Sequence, residues 1–138
     1  MTHAETLLAL AARCEAGTGP DRALDVAIFR AVTPGAKQYR PKSSTARKVG
    51  LTEVGGCIVP NPAYTASLDA ATTLVPAGWA SHHSNRPWLA ETNIKPAEAS
   101  VWARFQGAAS FTGSAPTPAR ALTAAALRAL AAEAGNER

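Results

Sequence analysis

Alanine is the feature that most constrains this chain. It is the commonest residue, about thirty of 138 by count, so much of the 46% apolar fraction is a single methyl group that buries little area. Aromatics make up only 6%. A core built this way rests on a few large side chains and on backbones brought close together. The length suits one domain, 1–138, and leaves no room for two full cores. With charged residues at 17%, wholesale disorder, a collagen-like chain and a disulfide scaffold are excluded.

Helix signals open and close the chain. Thr2 and Glu5 have capping-box spacing, and Leu7, Leu10, Ala11 and Cys14 follow at helical period. The pattern predicts a helix over 3–16, with Gly17 ending it in the left-handed region. Thr18 as cap, Pro20 in the first turn, and Asp21 and Asp25 near the positive end of the dipole predict a second helix over 20–32. Thr65 or Ser67 can cap a third helix, on whose face Tyr64, Leu68, Ala71 and Val75 fall. The run Pro76-Ala77-Gly78 stops it. Thr117-Pro118 starts a last, alanine-rich helix over 118–134, whose small side chains suit close packing on its own domain or on a second subunit. Alternating residues predict strands at 87–93 and 100–106, joined at Lys95-Pro96-Ala97, with 79–84 as a third. The stretch 107–116 reads as a small-residue loop. Between 33 and 62 no period is sustained; this is a basic loop or insertion, with one short strand at Cys57-Ile58-Val59. The expected fold is α+β: a compact α/β/α layered sandwich with a small antiparallel sheet and about four helices.

The formal net charge is +4. Lys37, Arg40, Lys42, Arg47 and Lys48 form a run without an acid, which suits a solvated loop first and nucleic-acid binding as an alternative. Two cysteines make no framework. The start of the chain has no basic leader followed by an apolar run, and no stretch of eighteen apolar residues occurs, so a cytoplasmic protein that does not enter a membrane is expected.

Motifs for chemistry are sparse. His82 and His83 are adjacent, so in a strand they point to opposite faces and cannot easily clamp one metal; the pair reads best as a surface turn. No metal site, cofactor or catalytic residue is assigned, and neither GxSxG, HExxH nor a Walker sequence occurs. A small hydrolase or transferase therefore stands only as a second alternative. Gly55-Gly56 reads as a turn, not as a phosphate cradle. Arg22 can pair with Asp25 at i,i+3; the pair serves helix-end electrostatics or faces a partner. Trp79 suits the core. Trp88 and Trp102, with Arg86 nearby, can present a binding face. The candidate binding residues are therefore Arg22, Asp25, His82, His83, Arg86, Trp88 and Trp102.

Three segments taken in order resemble a known family. They are LALAARCEA at 8–16 with TGPDRALD at 18–25, YTASLDAATTLVPAGW at 64–79, and TPARALTAAAL at 117–127. Together they resemble the phage ABA sandwich domain, a group of small phage and prophage proteins. The resemblance implies an α/β/α domain encoded by tailed phages or prophages and acting in the host bacterial cytoplasm. It carries over no catalytic residue, because the shared positions are helix caps and core. A non-enzymatic accessory protein that binds a host protein or a small ligand, such as a nucleotide signal, is the expectation that follows.

Overall fold

The computed structural model describes residues 2–38, 52–84, 97–103 and 110–136. Helix α1 spans His3–Ala16 and α2 spans Arg22–Val32. A small antiparallel sheet follows, with β1 at Lys37–Gln38, β2 at Thr52–Val54 and β3 at Cys57–Val59, in the order β1-β2-β3. Helix α3 covers Leu68–Thr72. A second antiparallel sheet has β4 at Trp79–Ser84, β5 at Ala97–Ala103 and β6 at Ser110–Ala115, in the order β4-β5-β6. Helix α4, Pro118–Asn136, closes the chain.

The caps follow from local chemistry. The Thr2 hydroxyl accepts from the Glu5 amide at 3.1 Å, and the Glu5 carboxylate accepts from the Thr2 amide at 2.7 Å. The expected capping box is therefore present. Gly17 is extended (φ −98°, ψ 169°), not left-handed as expected. Helix α2 is capped by Asp21, whose Oδ1 accepts from the Leu24 amide at 3.0 Å, so Pro20 and Thr18 lie outside it. Ser67, one of two expected caps, accepts from the Ala70 amide. Val54 and Cys57 are paired across Gly55-Gly56, both with positive φ (58° and 82°). This is the two-residue reversal that favours glycine at both positions, so the pair does form a turn.

The second sheet differs from the expected hairpin. Strand β5 begins at Ala97, where a turn was expected, and pairs with β4 on one side and β6 on the other. Strand β6 occupies the stretch read as a loop. Its sequence, SFTGSA, has one large apolar residue and so little of the alternation that marks a strand. The expected strand at 87–93 and the turn residues Lys95 and Pro96 lie outside the described residues.

The α+β class, the four helices among the described residues and a small antiparallel sheet, here β4-β5-β6, agree with the sequence reading. The order of the layers follows from α4. On one side it packs on α1, and on the other on β5 and β6. Its residues Ala124, Leu127 and Ala131 join Leu7, Leu10, Cys14, Leu24 and Ile28 in one apolar cluster. Its residues Ala121, Leu122, Ala125 and Ala129 join Ala97, Ala99, Val101 and Ala115 in another. A helix buried on opposite sides needs apolar residues around most of its circumference, which the alanines supply. Gly113 carries the same logic into the sheet. A β-carbon there would stand 2.1 Å from the Ala121 carbonyl oxygen, so only glycine lets β6 approach α4 this closely.

Candidate functional site

Arg22 and Asp25 sit at the start of α2. Asp25 is fully buried. Its Oδ1 accepts from the Thr65 amide at 2.8 Å, and its Oδ2 accepts from Arg22 Nη1 at 3.3 Å. Arg22 Nη2 donates to the Asn61 carbonyl at 3.0 Å. The Asp21 amide donates to the Thr65 hydroxyl at 2.8 Å. A buried carboxylate is costly unless both oxygens are satisfied, and here both are. The pair ties the 61–65 segment to α2, and Asp25 presents no surface to a ligand.

The face of β4-β5-β6 turned away from α4 gathers other sequence-selected residues. Register sets three cross-strand rows on it: Ala80, Trp102 and Ser110; His82, Ser100 and Thr112; Ser84, Glu98 and Ser114. Trp102 is half-buried and stands between Ala80 and Ser110, two short side chains. His82 is exposed and diagonal to Trp102, within reach of a large ring. His83 has the opposite parity, opposite Ala99, and is exposed; both histidines are paired residues of β4 and not the surface turn expected from the sequence. The sheet thus brings His82 and Trp102 together and separates His83 from them, as strand geometry requires. Both lie apart in sequence and in pairing from the Arg22–Asp25 tie.

A cleft of about 270 Å³ adjoins this face, lined by Glu15, Glu98, Ser100, Thr112 and Ser114. Glu15 forms an ion pair with Arg128 through two contacts, one of them from Nη1 at 2.9 Å. The same Glu15 carboxylate accepts from the Ser114 amide at 2.9 Å, and Arg128 Nη1 donates to the Thr112 carbonyl at 2.7 Å. The Arg128 hydrogen bond holds the Glu15 carboxyl below its ordinary value; partial burial opposes this and the Ser114 amide adds to it. Glu15 is thereby neutralised in place. Glu98 is exposed and makes no ion pair among the described residues, so the cleft is mildly acidic.

Lys37 is exposed on β1, in register with Glu53. Arg40, Lys42, Arg47 and Lys48 lie outside the described residues, as do Arg86 and Trp88. Trp79 packs into the second cluster, with its ring 5.9 Å from that of Phe111 and its Nε1 donating to Glu133 at 2.9 Å. Among the described residues no group of three or more His, Cys, Asp or Glu could hold a metal ion. In the same residues no helix is long and apolar enough to cross a membrane.

Sequence reasoning passed over two structural arginines. Arg120 is 2% exposed; its Nε donates to the Gly19 carbonyl at 2.7 Å and its Nη1 to the Cys14 carbonyl at 3.1 Å. The available signal was its position, since a cation in a helix's first turn opposes the dipole and needs an outside reason. Arg128 had no comparable signal, because its partner Glu15 lies 113 positions away. Burial pushes the Cys14 thiol up to about 12, which leaves it an inert core group.

The chain matches no protein-family model, no curated protein and no solved structure.

Proposed function

We propose that this chain is a small, non-enzymatic phage or prophage accessory protein that binds a host protein through the outward face of β4-β5-β6. The observation that carries the reading is Trp102, half-buried between Ala80 and Ser110 and diagonal to His82. Tryptophan anchors protein interfaces because one ring supplies a large apolar area, and short neighbours let a partner close around it. The exposed Glu98 sets the polarity of the rim. The matching partner surface has an apolar pocket flanked by Lys or Arg. A nucleotide signal fits less well, since its phosphates would meet the carboxylate of Glu98 in the adjoining cleft. The phage or prophage origin, and with it the host cytoplasm, rests on the resemblance of the three segments at 8–25, 64–79 and 117–127.

The test is capture from host-cell extract on immobilised wild-type protein and three variants. Glu98→Arg and Thr112→Arg alter exposed positions of the face, and Ala12→Arg alters an exposed position of α1. The expected result is one defined protein held by the wild type and Ala12→Arg and lost from both face variants. Capture that survives Thr112→Arg, or that disappears on nuclease treatment, would overturn the reading.

A further inference from the structure

The cleft beside β5 and β6 has a chemistry that the Trp102 anchor does not use. Strand parity puts Glu98, Ser100, Thr112 and Ser114 on the outward face. Glu98 stands directly opposite Ser114, and Ser100 opposite Thr112, so each facing pair has its β-carbons about 5 Å apart. All four line one cavity of about 270 Å³, together with Glu15. That volume lies just under the usual range for a whole small-molecule ligand, about 300–1,000 Å³, and suits one long side chain.

The charge balance selects the occupant. None of the lining residues is cationic. The Glu15 carboxylate is matched by Arg128 and by the Ser114 amide. The Arg128 guanidinium is in turn held by Glu15 and the Thr112 carbonyl. Glu98 is left as the one carboxylate of the cleft without a counter-charge among the described residues. An anion is repelled there and a neutral group gains no ion pair, whereas a cation gains a carboxylate and hydroxyl acceptors. Those acceptors are spread over two strands. A planar guanidinium with five N–H donors can meet a carboxylate and its flanking hydroxyls together. An ammonium has three donors and is more strongly hydrated, so it loses more on entering.

We infer that this cleft seats an arginine side chain, supplied by the protein partner that closes over Trp102, with its guanidinium on Glu98. The inference rests on the reading of this face as an interface and names the residue that the partner brings to it.

The experiment is a two-dimensional amide NMR titration of the full chain with N-acetyl-argininamide, N-acetyl-lysinamide and N-acetyl-citrullinamide. Citrulline has the shape of arginine without its charge. The arginine compound is expected to shift the Glu98, Ser100, Thr112 and Ser114 amides, with the lysine compound binding more weakly and the citrulline compound about fivefold more weakly. Glu98→Gln, at an exposed position, should bring arginine down to the level of citrulline. Asp69→Asn, which removes an exposed carboxylate on α3, should leave the preference intact. The inference is overturned if arginine shifts none of these amides, if lysine or citrulline matches it, or if its advantage survives Glu98→Gln. The titration needs no host protein. Failed capture with the arginine preference intact therefore tells against the host partner alone, and capture without that preference tells against the arginine alone.

Discussion

Arg120 joins three segments through one guanidinium. Its contacts are backbone carbonyls: Gly19 beyond α1, and Cys14 and Arg13 in its last turn, the last at 3.4 Å. The Cys14 and Arg13 oxygens belong to the negative end of the α1 dipole, which gives the buried cation a counter-charge without a carboxylate. Gly17 makes room for it, since a β-carbon there would lie 2.5 Å from Arg120 Nη1. Arg120→Ala strands buried carbonyls and opens a cavity, and should cost about 3–5 kcal/mol in urea unfolding. Arg120→Lys should recover less than half of that, because an ammonium on a flexible stem cannot span the same carbonyls. Full recovery by lysine would show that charge alone matters and that the fork geometry does not.

At the scale of elements, the β6 edge is closed by side chains. An edge strand offers unpaired amides and carbonyls to any neighbouring chain. Here the Ser114 amide is taken by Glu15 and the Thr112 carbonyl by Arg128, and the two side chains pair with each other. The folded Glu15 carboxyl lies below its ordinary value of 4.5, so its contribution is present above that value and lost as pH falls through the folded one. Glu15→Gln should therefore be about 1–2 kcal/mol less stable than wild type at neutral pH, a gap that narrows as the solution is acidified below 4.5. Denaturant melts at several pH values check this. A gap that stays constant into acid would mean that the Glu15 charge contributes nothing. Strand β6 itself was illegible in sequence because its inward positions are Phe111, Gly113 and Ala115. Small residues there serve the approach of α4, and the same smallness removes the alternation by which strands are read.

At the scale of the molecule, α4 is a wall of both apolar clusters. Neither cluster keeps its packing if that helix leaves, so they should unfold together. Far-ultraviolet circular dichroism, which follows mainly the helices, and the near-ultraviolet signal of Trp79 beside Phe111 should give coincident urea transitions. Two separated midpoints would show that the sheet and the helices are independent units. The alanine content that first constrained the chain acquires its meaning here. Methyl groups bury little area each, but they let α4 approach α1 and the sheet closely, so dispersion is gathered from backbone as well as side chain.

Sequence by itself determined what depends on neighbours within a turn or a strand. The Thr2–Glu5 box, the Ser67 cap, the Gly55-Gly56 reversal and the opposite parity of His82 and His83 are of this kind, because their partners lie a few residues away. Tertiary structure alone decided the rest. It set α4 between α1 and the sheet, joined Arg120 to carbonyls about a hundred positions distant, and placed Glu15 and Arg128 on β6. Contacts of that range follow from how the layers stack, and no local period in the chain records them.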